Sequence, residues 1–175
     1  LPPPPPPGPL PPLRGGRPAP PPSHDALAAR VGAVARLYRE TDQTDLAKEW
    51  TRLFVGPRAA PCRPWQDTWE SEGPPRLRGP KHASMLAFYR RAGLEPVTAE
   101  TEPADHVGLI LALFSALAER AATGEEVRTL LDELWQTHIE SWLPRFAATL
   151  VAEAREPALK AAGELLQSAV SPAAG

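Results

Sequence analysis

Apolar residues recur along most of this chain at the three- and four-residue intervals that place them on one face of an α-helix. In the first such segment the apolar positions are Leu27, Val31, Val34, Leu37 and Tyr38. Ser23 and Asp25 precede them, where a capping side chain is expected. No segment shows the strict alternation of apolar and polar residues that is typical of a β-strand. The pattern therefore predicts a chain built of helices.

A second helix is predicted from a stripe at i, i+4, i+7 and i+8, formed by Leu46, Trp50, Leu53 and Phe54. Thr44 or Asp45 is expected to cap it, and Gly56-Pro57 to end it, because proline cannot continue a helix. An aromatic stripe with this spacing is most often part of a core.

Residues 56–80 are predicted to form a long loop, because they contain six prolines and three glycines. A loop of this length within a compact domain usually has a function or is disordered. Two of the five tryptophans of the chain, Trp65 and Trp69, lie in it. Such rings seek a surface to cover, so we expect them either to staple the loop down or to line a groove for an apolar peptide.

Two helices follow this loop. The first is predicted over residues 81–92 with Gly93 as its stop. The next runs to about Ala122 and is apolar on nearly every side, which predicts a central position. Thr101 is expected to cap it, with Pro103 near its first position and Asp105 complementing the positive end of its dipole.

Further helices are predicted in the C-terminal third of the chain. Thr123 followed by Glu126 indicates a capping box, and Pro144 should break the helix near Leu143. One face of this region carries His138, Trp142 and Phe146. A last helix is expected from about Pro157 to residue 171. The prediction is an all-α, single-domain helical bundle of six or seven helices over residues 23–175, with one long Pro/Trp-rich loop.

Composition narrows the function. Of 24 prolines, 13 fall within residues 1–22, so we interpret that segment as a disordered Pro-rich tail outside the domain. The net charge of −2 argues against nucleic acid as a partner. A single cysteine, Cys62, excludes an internal disulfide, and no stretch is long and apolar enough for a membrane span. We expect a cytoplasmic protein without stable membrane insertion.

The titratable residues match no catalytic or metal-binding motif. The histidines at 24, 82, 106 and 138 stand in no metal-ligand spacing, and Ser84 and Ser115 stand in no nucleophile motif. His106 follows Asp105 at a predicted helix start, which favours either a helix-stabilising histidine or a binding role. In that role Asp105 would accept from a cationic ligand and His106 would orient it. We expect no catalytic residue, no metal and no cofactor.

The segment from Glu95 to Asp105 contains four acidic residues and no basic one. It is either a solvated linker or, beside an apolar groove, the complement of a peptide that is positive at one end and hydrophobic in the middle. Bacterial export signals have that character.

Four ordered motifs carry a resemblance to a known family. They are Trp50-x-x-Leu53-Phe54-Val55-Gly56-Pro57, Pro64-Trp65-x-x-x-Trp69, Glu102-Pro103-x-Asp105-His106-x-Gly108 and His138-x-x-x-Trp142-x-x-x-Phe146. Together they cover about residues 45–170 and resemble the TorD/DmsD/NarJ family of redox-enzyme maturation chaperones, with the spacing of the DmsD branch. The chain departs from that branch at Arg58, where a tryptophan is expected, and has Ile110 where many members have Glu.

The resemblance implies an all-helical chaperone that is not an enzyme. Its partners would be the twin-arginine signal peptide and the apo catalytic subunit of a dimethyl-sulfoxide-reductase-type molybdoenzyme, held until the cofactor is inserted. Such a protein would be a monomer or a domain-swapped dimer. By position, the implied peptide-binding residues are Trp50, Leu53, Phe54, Gly79, Pro103, Asp105 and His106, and the loop residues Trp65 and Trp69 would join them.

Three alternatives remain open from sequence. The first is a NarJ-type assembly factor for a nitrate reductase that stays in the cytoplasm. The second is a non-catalytic helical adaptor in which every tryptophan is buried. The third is an enzyme, for which His106 and Asp105 would be the only candidates.

Overall fold

The computed structural model describes residues 24–56, 60–71, 77–96, 101–124 and 126–170. Ser23, Arg58 and the tail over 1–22 lie outside these ranges. The described helices are α1 His24–Glu40, α2 Gln43–Trp50, α3 Asp67–Glu70, α4 Pro80–Arg91, α5 Val107–Ala122, α6 Arg128–Leu134, α7 Leu143–Glu153 and α8 Pro157–Val170. The all-α class is confirmed, and none of these helices is both long and apolar enough to cross a membrane.

The number of helices exceeds the predicted six or seven because the supposed loop over 56–80 is not wholly irregular. It contains α3, and its residues 60–71 pack into the core, with Ala60, Cys62 and Gln66 buried. Proline content alone predicted a loop, but prolines outside helix interiors are compatible with a packed segment.

Two helices continue into π-helical turns, α2 into Thr51–Val55 and α6 into Trp135–Ile139. In the first, the Gly56 N–H donates to the Thr51 carbonyl at 2.7 Å, which closes the wider ring of a π-turn. The extra residue per turn changes which side chains face inward. Leu53 and Phe54 are buried, whereas Trp50 is 49% exposed, so the prediction of a single buried stripe is wrong for Trp50.

Helix starts differ from the sequence prediction. Asp42, rather than Thr44 or Asp45, caps α2 by accepting from the Thr44 and Asp45 amides. His106, rather than Thr101, caps α5, and Asp105 points into the core instead of complementing the helix dipole. Thr123 and Glu126 form no capping box, since Val127 precedes α6 without a side-chain cap. Capping residues are common throughout this chain, so their presence did not select among neighbouring positions.

The helix boundaries marked by glycine and proline were predicted correctly. Gly56 and Gly93 adopt positive φ angles of 33° and 67° after the residues that they terminate. Pro144 lies in the first turn of α7, and α8 begins at Pro157. Proline and glycine act on the backbone itself, so their effect does not depend on distant contacts.

The core lies among α4, α5, α6, α7 and the two π-turns, with Leu53, Met85, Leu117, Leu134 and Trp142 fully buried. α5 is not surrounded on all sides as predicted, because Ala112 and Ser115 are exposed. Small residues made it appear uniformly apolar in sequence, yet they tolerate exposure.

A hydrogen-bonded ion pair between Glu49 and Arg52, here called the ionic brace, joins α2 to the α7–α8 connection. Glu49 accepts two hydrogen bonds from Arg52, each 2.8 Å, and one from the Arg155 amide at 2.8 Å. The Arg52 guanidinium lowers the pKa of Glu49 to about 2, so this carboxylate stays ionised at neutral pH. The brace fixes the start of the π-turn that carries Leu53 and Phe54.

Candidate functional site

Residues 60–71, here called the tryptophan segment, connect two parts of the molecule. At one end the Cys62 N–H donates to the Leu53 carbonyl at 2.9 Å. Further along, the Gln66 N–H donates to the Asp105 carbonyl at 3.1 Å, and Val107 donates to Pro64 at 2.8 Å. The tryptophan segment therefore links the π-turn after α2 to residues 101–106, here called the acidic turn.

Aromatic rings form a continuous row from the surface to the core. The exposed Trp50 lies 4.5 Å from Phe54, centroid to centroid, and Phe54 lies 6.4 Å from Phe146. Trp69 contacts Phe146 at 6.0 Å and Trp142 at 6.4 Å. This aromatic row brings together three sequence motifs that span nearly a hundred residues. Its outer end is an apolar surface that a ligand can cover.

Trp65 lies at the edge of the acidic turn rather than in the aromatic row. Its indole N–H donates to the Glu102 carboxylate at 2.5 Å, and its ring meets His106 edge-on at 6.1 Å. The backbones of Trp65 and His106 form an isolated antiparallel bridge. The side chain is partly exposed, so the ring and the Glu102 carboxylate share a surface with one apolar and one negative group.

Asp105 is the most unusual residue of the site. Its side chain is 0% exposed, and its Oδ2 accepts from the Asp67 amide at 2.9 Å. Its Oδ1 is buried and has no hydrogen-bond partner, alone among the buried side-chain nitrogen and oxygen atoms of the described residues. Burial raises the pKa of Asp105 above its usual range, and the nearby Asp67 carboxylate adds to the effect. A buried carboxylate oxygen without a hydrogen-bond partner lowers the stability of the fold, so its presence needs a physical explanation.

Asp67 contacts both Asp105 and the start of α4. Its carboxylate accepts from the Lys81 amide at 2.9 Å and the His82 amide at 3.2 Å, and so caps α4 from a different segment. A Cβ at Gly79 would lie 2.8 Å from Asp67 Oδ2, which explains why this position is glycine. Gly79 therefore has a structural role here, as the residue that lets Asp67 reach the helix start.

His106 caps α5 through its ring. The Gly108 N–H donates to His106 Nδ1 at 3.0 Å, which leaves the proton of the neutral ring on Nε2. Burial lowers the pKa of His106, while Glu102 acts in the opposite direction. Pro103 is buried in the same turn, and its carbonyl accepts from the His106 amide at 3.1 Å. These two residues shape the turn that holds Asp105.

A second polar network, absent from the sequence prediction, lies behind the tryptophan segment. The fully buried Gln66 accepts from His138 Nδ1 at 2.7 Å and donates to the Thr137 carbonyl at 2.9 Å. His138 Nε2 then accepts from the Ser84 hydroxyl, 3.2 Å away. Burial lowers the pKa of His138 to about 4, so the ring is neutral at pH 7.

The Ser84 hydroxyl and His138 form a serine–histidine pair, but Ser84 lies inside α4, where the surrounding backbone amides are used by the helix. Cys62 is buried, and burial raises the pKa of its thiol to about 11, which makes it a poor nucleophile. Within the described residues no group of three histidine, cysteine or acidic side chains is arranged to hold a metal.

A known protein family matches most of this chain. Residues 22–148 match the sequence model of the family described as the nitrate reductase delta subunit. The chain belongs to this family. The resemblance of its motifs to the TorD/DmsD/NarJ group is thereby confirmed.

Individual relatives are named as chaperones, not as enzymes. The Tat proofreading chaperone DmsD of Salmonella typhi is 30% identical over 138 residues, covering 79% of this chain and 65% of that protein. The chaperone protein TorD of Shewanella sp. (strain MR-4) is 30% identical over 130 residues, covering 71% and 60%. The chain thus spans less than two thirds of the length of these relatives. Their names agree with the prediction of a non-enzymatic protein.

Within this family fold, the predicted site residues fall into two groups. Trp50, Leu53, Phe54 and Trp69 belong to the aromatic row or its π-turn, and Trp65, Gly79, Pro103, Asp105 and His106 surround the acidic turn. The tryptophan segment joins the groups. The adaptor alternative expects every tryptophan to be buried, and this expectation is wrong because Trp50 is exposed.

Sequence analysis did not identify Gln66, Asp67, His82 or His138 as parts of this site. Asp67 holds Asp105 and Gly79 in place, and His82 Nδ1 accepts from the Ala104 amide at 2.9 Å. The only signal in the sequence was a polar pair, Gln66-Asp67, between two tryptophans of a supposed loop. A polar pair in a loop ordinarily faces solvent, so the pattern alone could not reveal burial.

Proposed function

We propose that this chain is a cytoplasmic maturation chaperone for a molybdoenzyme of the dimethyl-sulfoxide-reductase type. It would bind the twin-arginine signal peptide, and the apo catalytic subunit that carries it, until the cofactor is inserted and export can proceed. The observation that carries the proposal is Asp105, a buried carboxylate with one oxygen that accepts no hydrogen bond within the described part of the chain.

A guanidinium group would satisfy this carboxylate. Arginine presents several N–H donors in a planar fork and forms short, charge-assisted hydrogen bonds with carboxylates. Asp105 is closed off in the unliganded chain, so a peptide arginine would reach it only after local opening. The partly exposed Trp65–Glu102 hydrogen bond lies on the same turn, and Glu102 would exchange the indole for the second arginine.

The apolar part of a signal peptide would cover the outer end of the aromatic row. Trp50 is half exposed although it is held against Phe54, so its ring is oriented before any ligand arrives. Burying such a surface yields roughly 25 cal/mol per Å² before the cost of ordering the peptide. The name of the DmsD relative, a Tat proofreading chaperone, supports the same kind of partner.

A calorimetric titration tests the proposal directly. Synthetic signal peptides of candidate molybdoenzymes from the same genome are titrated into the chain, each beside a control peptide in which both arginines are lysines. We expect micromolar or tighter binding that weakens at least roughly tenfold in the twin-lysine control, because a lysine cannot form the bidentate contact. Equal affinity for both peptides would contradict a role for Asp105 in arginine recognition.

Trp50→Ala tests the contribution of the aromatic row to peptide binding. Tyr38→Ala is its matched control. The two rings are almost equally exposed, at 49% and 50%, but Tyr38 lies on α1 outside the proposed site. We expect Trp50→Ala to weaken peptide binding by roughly tenfold or more, as for an aromatic hot spot, and Tyr38→Ala to leave it unchanged. Equal effects of the two substitutions would remove the aromatic row from the site.

A NarJ-type assembly factor is the second candidate, favoured by the description of the matching family as the nitrate reductase delta subunit. In that case the client would be a nitrate reductase that remains in the cytoplasm. Capture of a nitrate reductase subunit from host lysate, together with no binding to any twin-arginine peptide, would favour this function over the first.

A further inference from the structure

Buried hydrogen bonds hold the acidic turn against two neighbouring elements. The Asp105 carboxylate accepts from the Asp67 amide of the tryptophan segment at 2.9 Å, and the Ala104 amide donates to His82 Nδ1 of α4 at 2.9 Å. The Asp105 side chain is 0% exposed while these bonds are in place. A ligand can therefore reach this carboxylate only when the turn moves away from at least one of its neighbours.

The interior of the turn also contains interactions that favour opening. Burial raises the pKa of Asp105, and the nearby charge of Asp67 acts in the same direction. Asp105 Oδ1 accepts no hydrogen bond from the residues that the structure describes. Movement of the turn would let water reach this oxygen, which offsets part of the cost of breaking the other contacts. Where two positions of a segment are balanced in this way, a single further contact can decide between them.

A further contact of this kind lies at the surface of the turn. Glu102 accepts from the indole N–H of Trp65 at 2.5 Å, and a carboxylate acceptor makes such a bond strong. The Trp65 ring also meets His106 edge-on, with 6.1 Å between the centroids. Both Trp65 and Glu102 are partly exposed, so a solute can attack this hydrogen bond before the turn has moved.

We propose that the Trp65–Glu102 hydrogen bond is an autoinhibitory latch, which keeps Asp105 closed off until a guanidinium group displaces the indole. The proposal rests on the proposed function, because it gives the order in which the two arginines of a signal peptide bind. The first would take Glu102, since a cationic fork forms two charge-assisted hydrogen bonds where the indole forms one. The released turn would then admit the second to Asp105. A peptide without arginine cannot form the bidentate contact, so the latch selects the signal before Asp105 is exposed.

Hydrogen exchange followed by NMR tests the latch without any peptide. The variants are Trp65→Phe, which removes the indole N–H but keeps an aromatic ring, Glu102→Ala, and the double variant W65F/E102A. We expect each single variant to accelerate exchange of the Asp67 and Ala104 amides by roughly threefold or more. The double variant should add nothing further, because all three proteins lack the same hydrogen bond. Amides of α7 should keep their rates, which verifies that the rest of the fold is intact.

Glu133→Ala is the matched control for these variants. Glu133 is also partly exposed and accepts short hydrogen bonds, 2.5 and 2.6 Å long, from Arg91, but this pair joins α6 to α4 outside the acidic turn. Its loss should leave the exchange of the Asp67 and Ala104 amides unchanged. Unchanged exchange in either single variant, or additive effects in the double variant, overturns the latch.

Binding kinetics distinguish failure of the latch from failure of the proposed function. In stopped-flow mixing with a twin-arginine peptide, Trp65→Phe should associate roughly threefold faster or more than the unmodified chain, because no indole has to be displaced. Its association rates with the twin-arginine and twin-lysine peptides should also differ less. Equal or slower association overturns the latch while the proposed function stands. Accelerated exchange in the variants, with no peptide bound by any of the proteins, supports the latch and contradicts the proposed function.

Discussion

At the scale of single residues, Asp105 is a candidate binding residue whose burial opposes stability. Its carboxylate is buried beside a second carboxylate, Asp67, and one of its oxygens accepts no hydrogen bond from the residues that the structure describes. A buried polar group without a partner costs about 1–3 kcal/mol, more when it is charged. Under the proposed function, an arginine of the ligand would supply the missing donors, and burial of the carboxylate would strengthen that contact.

Asp105→Asn should therefore make the chain more stable while weakening its proposed binding. Because the pKa of Asp105 is raised above 3.8, the stability that it contributes is fully present below pH 3.8 and is lost as the pH rises through the folded-state pKa. We expect the variant to gain about 1 kcal/mol in the free energy of unfolding at pH 7 and little at pH 3.5. Urea unfolding at the two pH values measures this.

Asp67→Asn is the matched control for this prediction. Asp67 is also buried, but both of its oxygens accept backbone hydrogen bonds at the start of α4. Replacing one of them with an amide group should destabilise the chain at pH 7, opposite to the effect at Asp105. A loss of stability in both variants at pH 7 would show that the Asp105 carboxylate is needed for the fold.

At the scale of elements, α4 depends on a cap from another part of the chain. Gly79 provides no side chain at its start, and Asp67 occupies the capping position instead. The sequence around residues 79–82 alone contains no capping side chain of the usual kind. The tryptophan segment and α4 should therefore form as a unit.

Gly79→Ala should weaken the contact between the tryptophan segment and α4. The new Cβ would lie 2.8 Å from Asp67 Oδ2, so the carboxylate must move and the cap is weakened. We expect a loss of about 1–2 kcal/mol in the free energy of unfolding. Gly32→Ala in α1 is the control, because no atom lies within 4 Å of its added Cβ, and it should gain up to about 1 kcal/mol. Chemical denaturation of both variants decides the matter, and a neutral Gly79→Ala would exclude the steric role.

At the scale of the whole molecule, α1 is attached mainly through a single neighbouring helix. No described side chain of α1 is fully buried, and the helix packs mainly on α8. Arg30 joins the two helices by donating to the Ser168 hydroxyl at 2.9 Å and to the Glu164 carbonyl at 3.2 Å. By contrast, α7 buries Leu143, Phe146, Ala147 and Leu150.

This difference predicts the order of local unfolding. Amides of α1 should exchange with solvent faster than those of α7, because opening α1 exposes little apolar surface. Arg30→Ala should accelerate exchange in α1 several-fold and leave α7 unchanged, as hydrogen–deuterium exchange followed by mass spectrometry can show. Equal protection of α1 and α7 would mean that the two helices unfold together.

The sequence by itself determined the helical class, the ends of most helices and the motifs that define the candidate site. These features depend on local physics: the 3.6-residue period, the missing N–H of proline and the freedom of glycine at Gly56 and Gly93. The motifs around Trp50, Trp65 and Asp105-His106 were recognisable for the same reason, as short patterns.

Only the tertiary structure decided which of those residues are buried and what they contact. Asp105 is buried and accepts from the amide of Asp67, 38 residues earlier, and Trp50 is exposed where α2 passes into a π-turn. Neither relation has a local signal, since hydrogen bonds between distant segments depend on how the helices pack. The contact between the Phe114 and Trp135 rings, whose centroids lie 5.9 Å apart, is a relation of the same kind.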